Sequence, residues 1–299
     1  MLGQLGGMGV LVGEVIQPTA ALAEITDIPG ARGGTANTSA SATDDGAFAI
    51  GVSASASTAN AAAIGRLSNA SGTNAFAIGV KANASNKNAF AIGTTAKASS
   101  TSAIAIGKSS KAIVGESALA IGASANASAQ QSIAIGASAN AQELHAIAIG
   151  CKATATAKEA IAIGTLANAS GSGIAIGEKA NSTHCSIAIG FQSKAFNAGT
   201  IAIGCQASAS KDKAVALGDS AEATGTNSYA IGVQAKATKE NSFAIGTQAI
   251  ADRDHQIKLG APNESWNSGE VTIGSLHHYN TVENGRQIEW NEDIDFWEY

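Results

Sequence analysis

The chain repeats a short unit in which an apolar run is followed by an alternating run. In the apolar runs 75–79 and 146–150, Ala alternates with Phe or Ile before a closing glycine. After the glycine, Ala alternates with polar residues, as in 81–85 and 138–142. A period of two is typical of β-strands, and glycine supplies the backbone angles that a tight turn requires. Each unit therefore predicts two short strands and two turns.

The closing glycine recurs at 17 positions from Gly51 to Gly274, and 13 of the 16 intervals are 14 residues long. Two intervals have 13 residues and one has 15. Such a unit is too short for a βαβ motif of about 30 residues. We predict an all-β fold, a parallel β-roll solenoid of about 16–17 coils, whose strands stack about 4.8 Å apart.

The side-chain sizes predict which way each face of the coil points. A 14-residue coil is narrow, so the Ala faces of both strands are expected to point inward. The polar face of the second strand then meets solvent, and the Ile and Phe side chains of the first strand point outward. An apolar stripe of that length marks an interface, so the roll is predicted to be an obligate oligomer with the stripe along its symmetry axis. The residues predicted to line this axis are Ile78, Ile106, Ile135, Ile149, Ile163, Ile189, Ile203, Ile231 and Ile245.

Two units carry a family resemblance. Residues 227–232 and 241–246 read NSYAIG and NSFAIG, and they resemble the head repeats of YadA-like trimeric adhesins. Looser matches extend the resemblance over about residues 47–274, and residues 255–260 resemble the closing repeat common in such rolls. The resemblance implies a left-handed parallel β-roll and a homotrimer. The periodicity by itself implies neither the handedness nor the number three.

The composition agrees with a thin roll and not with an ordinary globular core. The chain has 65 alanines and 34 glycines, and only 4% of its residues are aromatic. Its three cysteines, Cys151, Cys185 and Cys205, have irregular spacing and predict free thiols in a reducing compartment. An ordinary secretory leader requires a basic residue near its start, and none precedes Arg32. No apolar run reaches the ~18 residues of a membrane helix. We therefore expect a chain that folds in the cytosol and does not insert into a membrane.

Charge varies along the chain. Residues 1–50 carry one basic and five acidic residues. Residues 51–246 carry fourteen basic and eight acidic residues, and residues 247–299 carry three basic and ten acidic residues. The lysines of the middle part could attract anionic glycans, lipopolysaccharide phosphates or nucleic acid. Alternatively, they keep the outer strands soluble, which their even spread favours. Nucleic acid is not an expected partner.

The two ends differ from the repeats and predict three regions: an arm (1–34), the roll (35–274) and a cap or tip (275–299). The YadA-like roll also occurs in fibre and spike proteins of tailed bacteriophages, which fold in the host cytosol and join the virion by one end. The arm therefore either docks into a virion component or caps the roll. The last region suits carbohydrate or protein recognition, a cap for the roll, or attachment to a virion. Its candidate contact residues are His277, His278, Tyr279, Trp290, Phe296, Trp297 and Tyr299.

The motifs favour no enzyme. His145, His184 and His255 are scattered, no catalytic triad spacing recurs, and no phosphate-binding glycine loop is present. Hexapeptide-repeat acyltransferases have coils of about 18 residues, which the 14-residue interval does not match. No cofactor is expected; a threefold axis could still bring three copies of His184 or His277 around a metal.

These patterns predict a non-enzymatic structural and adhesive protein. The first hypothesis is a homotrimeric fibre or spike of a phage-like virion, assembled in the host cytoplasm. It would be joined to another virion protein through one terminus and would contact a host-surface glycan or protein. The alternative is the head of a bacterial trimeric autotransporter adhesin, located on the cell surface and binding matrix or host-cell ligands.

Overall fold

The computed structural model describes residues 39–260 and two short strands near the C-terminus. From residue 41 to residue 259, two-residue strands alternate with three-residue strands along the chain. Each strand pairs in parallel with its equivalents in the coils before and after it, which produces two sixteen-stranded sheets. The prediction of an all-β parallel β-solenoid with about sixteen coils is therefore confirmed. The left hand and the threefold assembly stay predictions.

We name the sheets after their outward side chains. The polar sheet consists of β1 (Ser41–Ala42), β3 (Ser55–Ala56), β5 (Asn69–Ala70), β7 (Asn83–Ala84), β9 (Lys97–Ala98), β11 (Lys111–Ala112), β13 (Asn126–Ala127), β15 (Asn140–Ala141), β17 (Thr154–Ala155), β19 (Asn168–Ala169), β21 (Asn181–Ser182), β23 (Lys194–Ala195), β25 (Ser208–Ala209), β27 (Glu222–Ala223), β29 (Lys236–Ala237) and β31 (Ile250–Ala251). The apolar sheet consists of β2 (Phe48–Ile50), β4 (Ala62–Ile64), β6 (Phe76–Ile78), β8 (Phe90–Ile92), β10 (Ile104–Ile106), β12 (Leu119–Ile121), β14 (Ile133–Ile135), β16 (Ile147–Ile149), β18 (Ile161–Ile163), β20 (Ile174–Ile176), β22 (Ile187–Ile189), β24 (Ile201–Ile203), β26 (Val215–Leu217), β28 (Tyr229–Ile231), β30 (Phe243–Ile245) and β32 (Ile257–Leu259). The last two strands, β33 (Val282–Glu283) and β34 (Arg286–Gln287), form an antiparallel pair.

The register places equivalent residues of successive coils in columns. Between β14 and β16, for example, Ala134 lies opposite Ala148 and Ile135 lies opposite Ile149. The last apolar strand departs from the column, because Lys258 occupies the central position that Ala holds in the other coils. This strand lies in the segment 255–260 that resembles a closing repeat.

Alanine forms the interior of the roll. Fifty of the 59 alanines in residues 39–260 are buried, and a typical coil contributes four of them, such as Ala75, Ala77, Ala82 and Ala84. The buried hydrophobic residues of the described part are all alanines. The predicted inward direction of the Ala faces is therefore confirmed, and the interior holds no side chain larger than threonine.

Serine and threonine replace alanine in some coils, and most of their buried hydroxyls find an acceptor in a nearby turn. The Ser132 hydroxyl donates to the carbonyl oxygen of Ala129 at 2.7 Å. Thr200, which is larger than the predicted occupants, donates to the carbonyl oxygen of Asn197 at 3.1 Å. The Ser182 hydroxyl is an exception, since it has no hydrogen-bond partner among the described residues. The turns thus satisfy most of the polar groups that the narrow interior buries.

The turn after each apolar strand depends on its glycine. Gly79 has a φ of +126°, and a Cβ atom at this position would meet the backbone carbon and oxygen of Gly93 at 2.7 Å. A side chain would therefore be excluded by the backbone angle and by the neighbouring coil at once. Both aspects agree with the predicted role of the repeated glycine.

Changes in coil length are confined to the other turn, which follows each polar strand. The 15-residue coil has its extra residue within 113–117, and the two 13-residue coils are shortened within 171–173 and 184–186. The strands keep their pairing across these changes, with Ile104 opposite Leu119 and Ile161 opposite Ile174. In the described residues no helix is long and apolar enough to cross a bilayer.

Candidate interaction surfaces

The outer face of the apolar sheet carries one continuous apolar stripe, made of the first and third residues of its strands. The nine predicted axis isoleucines, from Ile78 to Ile245, are all third residues and all lie on this face. Contact with the neighbouring coils covers part of each side chain, yet Ile203 remains 40% exposed and Ile245 39% exposed. The stripe is thus uncovered on a single chain, and its position on a symmetry axis stays a prediction.

The stripe has a second column of side chains, which the predicted axis residues do not include. It contains the first residue of each apolar strand, and its aromatic members stack on each other across coils. The rings of Phe76 and Phe90 lie 5.2 Å apart at 7°, and those of Tyr229 and Phe243 lie 4.7 Å apart at 2°. The position three residues before each glycine is the sequence signal that identifies this column.

The outer face of the polar sheet carries hydrogen-bonded ladders. Asn126 Nδ2 donates to Asn140 Oδ1 at 3.0 Å. The same bond joins Asn69 to Asn83 at 3.1 Å. These amides are half-buried and connect neighbouring coils in addition to the backbone pairing. The ladder leaves amide and hydroxyl groups facing solvent, where they can bind polar ligands.

Two grooves lie on this polar face. The first, of about 530 Å³, is called the N-terminal groove and is lined by Ser109, Lys111, Ile113, Ser124, Asn126, Ser128, Ser138, Ala139 and Asn140. The second, of about 430 Å³, is called the C-terminal groove and is lined by Ser220, Glu222, Gln234, Lys236, Gln248 and Ile250. In the C-terminal groove Lys236 Nζ lies 3.1 Å from Glu222 Oε2, whereas the N-terminal groove holds a lysine and no carboxylate.

The reactive side chains considered in the sequence are dispersed. All three cysteines are free and exposed. His184 lies in the turn between β21 and β22, where its Nδ1 is 3.3 Å from Thr183 Oγ1, beside the apolar stripe and not on it. Within the described residues, no three His, Cys, Asp or Glu side chains come close enough together to hold a metal ion.

Several predicted features lie outside the described residues. They are the region 1–34, the region 275–299 apart from β33 and β34, the outer ends of the predicted roll, and all of the candidate contact residues His277, His278, Tyr279, Trp290, Phe296, Trp297 and Tyr299. The same holds for the suggestion that His277 binds a metal.

Comparison with known proteins identifies the repeat. The family described as YadA head domain repeat matches residues 70–96, 84–110, 114–139, 127–153, 141–167, 155–173, 186–204, 198–221 and 223–249, which together make up more than half of the chain. A similar solved structure is the collagen-binding domain of the Yersinia adhesin YadA, which is 20% identical over 69% of this chain and 76% of that chain, with a TM-score of 0.19. No curated protein sequence matches the chain. The family match agrees with the coil length, the glycine turns and the resemblance of the NSYAIG and NSFAIG units. The chain therefore belongs to the YadA head domain repeat family, a family of non-enzymatic adhesin heads.

Proposed function

We propose that this chain is the head of a homotrimeric bacterial adhesin, which is held on the cell surface and binds matrix or host-cell ligands. The observation that carries the proposal is the uncovered apolar stripe. It runs along all sixteen coils with two outward side chains per coil, nearly all of them large and apolar. Contiguous apolar surface of this extent belongs to interfaces, and three rolls meeting at the stripe would cover it.

The same arrangement leaves the polar sheets facing outward for ligand contact. Covering the apolar sheet places the Asn ladders and the two grooves on the exterior of the trimer. Membership of a family of adhesin heads supports a matrix or host-cell ligand for these exterior surfaces.

The virion fibre remains a second setting for the same trimer. The family match supports the bacterial head over the virion, since the matching repeat is that of an adhesin head. Antibody labelling of intact producing cells and of phage particles from the same culture would separate the two settings. Labelled cells support the adhesin, and labelled particles with bare cells support the virion fibre. In either setting we propose that 1–34 and 275–299 cap the roll or attach it.

The test of the assembly is native mass spectrometry of the full chain with paired charge substitutions. The wild type is expected to be a trimer. Replacing Ile149 and Ile163 by Asp should yield monomers, because six carboxylates would be buried along the axis without partners.

The matched control places the same charges on the other face. The variant with Asn126→Asp and Asn140→Asp should remain trimeric, since these residues face solvent. A monomeric wild type, or a trimer that survives the I149D/I163D substitutions, would contradict the proposed axis.

A further inference from the structure

The roll is divided by charge along its length. Residues 46–115 carry six basic residues and no acidic residue, whereas 116–260 carry ten of each. The six are Arg66, Lys81, Lys87, Lys97, Lys108 and Lys111, and all are exposed. The three ion pairs of the described residues all lie in the balanced part, between Lys158 and Lys236. Apart from Asp44 and Asp45 in the first coil, the first part of the roll therefore has no carboxylate of its own to neutralise its positive charge.

Two of these lysines are direct neighbours in the polar sheet. Lys97 on β9 and Lys111 on β11 lie opposite each other, and adjacent strands are about 4.8 Å apart. Like charges in this relation destabilise a sheet. Farther along the same column, Lys236 lies opposite Glu222 and forms an ion pair with it. The earlier pair lacks the negative partner that the later position has.

The N-terminal groove begins at Lys111, the second lysine of this pair. Beyond Lys111, the column continues with Asn126 and Asn140, and the short side chains of Ser109, Ser124 and Ser138 line one edge. Ile113, which directly follows β11 in the 15-residue coil, also lines the groove and is 37% exposed. Amides and hydroxyls bind sugar hydroxyls, the lysines bind sulfate or carboxylate, and an exposed isoleucine packs against the carbon face of a sugar ring. The volume of about 530 Å³ also falls within the roughly 300–1,000 Å³ common for ligand sites.

We propose that the N-terminal groove, with Lys111 in its lining and Lys97 beside it in the preceding coil, binds an anionic polysaccharide. The proposal rests on the proposed function, because it names the ligand class of the adhesin head. A single-stranded nucleic acid matches the site less well, since such strands bind on aromatic stacking platforms and no aromatic side chain lines this groove. The aromatic rings of nearby coils, Phe76 and Phe90, lie on the apolar face instead.

The test measures binding of the full chain to immobilised heparin, a sulfated polysaccharide, at physiological salt. The double variant K97Q/K111Q should bind at least about tenfold more weakly than the wild type, because a focused positive site raises the local concentration of an anionic ligand. The matched control K211Q/K213Q removes the same net charge from turn positions outside the groove, and its affinity should change by less than about twofold. Equal losses in both variants would mean general charge attraction and would overturn the site. Equal or tighter binding of single-stranded DNA would also overturn it.

A gain-of-binding variant tests the same idea in the C-terminal groove. Glu222→Gln removes the partner of Lys236 and should strengthen heparin binding, while Glu143→Gln, which changes the net charge equally outside both grooves, should change it less. Equal effects of the two variants would contradict the role assigned to the unpaired lysines.

The failure of this inference can be distinguished from the failure of the proposed function. If the wild-type head is trimeric and adheres to host cells but does not bind heparin, the polysaccharide site falls and the adhesin remains. If the head is monomeric and does not adhere to host cells, the proposed function falls together with the polysaccharide site.

Discussion

The two sheets of the roll are alike inside and different outside. On β16 the inward residue is Ala148, and on β15 it is Ala141; both are fully buried. The outward residues are Ile147 and Ile149 on one sheet and Asn140 on the other. Because the small inward side chains decide whether the coil can close, the outward positions are free to differ. One face can then serve assembly and the other can serve ligand contact.

The largest expected effect comes from enlarging an inward residue. In Ala148→Leu, the new side chain has no space, because the register neighbours Ala134 and Ala162 are fully buried as well. We expect a loss of about 3 kcal/mol in the free energy of unfolding, at the upper end for an overpacked core. Guanidinium unfolding of both proteins would measure it as a lower midpoint with an unchanged slope.

The control is Ile147→Leu, an outward substitution of equal volume on the same strand. It should cost less than about 1.5 kcal/mol, as volume-conserving apolar exchanges usually do. Similar losses for the two variants would show that inward and outward positions are not as different as their burial suggests.

The sequence predicts the inward face well because its signal is repeated in every coil. The 14-residue period aligns Ala with Ala and glycine with glycine, so the strands, the turns and the directions of the faces follow from pattern alone. The pattern does not predict which turn is lengthened or shortened in a 13- or 15-residue coil. The interval between two glycines includes both turns, so its length alone does not identify the turn that changes. The structure shows that the turn after the polar strand takes up the change, and Ile113, at the start of one such turn, lines the groove.

The candidate site required the register as well as the pattern. Lys97 and Lys111 are 14 residues apart, and many other residue pairs in this chain have the same spacing. The strand register is needed to see that β9 and β11 lie side by side, so that the two lysines form a pair of positive charges without a carboxylate between them. The even spread of lysines along the sequence favoured a solubilising role for them. Counting the charges of residues 51–246 together concealed that the acidic residues of this stretch all follow residue 115.

An intermediate effect is expected on the outer apolar face. In Phe76→Ala, the stack with Phe90 at 5.2 Å is lost, and this pair should contribute about 1 kcal/mol beyond its buried area. The coil itself should still fold, because Ala62 occupies the same column one coil earlier. Thermal unfolding at several protein concentrations would measure the loss, which should grow at higher concentration if the ring also contacts partner chains. A melting temperature equal to that of the wild type would remove this column from the interface.

The smallest effect is expected on the polar face, where the outward side chains meet solvent in the single chain and in the proposed trimer. Asn126→Ala removes one amide bond of 3.0 Å to Asn140, which should cost about 0.5 kcal/mol, since water replaces a partly exposed hydrogen bond at little expense. Ser138→Ala, at the groove edge beside the ladder, serves as the control and should change the melting temperature even less. If Asn126→Ala instead cost as much as Phe76→Ala, at every protein concentration, the Asn ladder would be holding the coils together. The polar sheet would then belong to the scaffold, and its surface could not vary freely to suit a ligand.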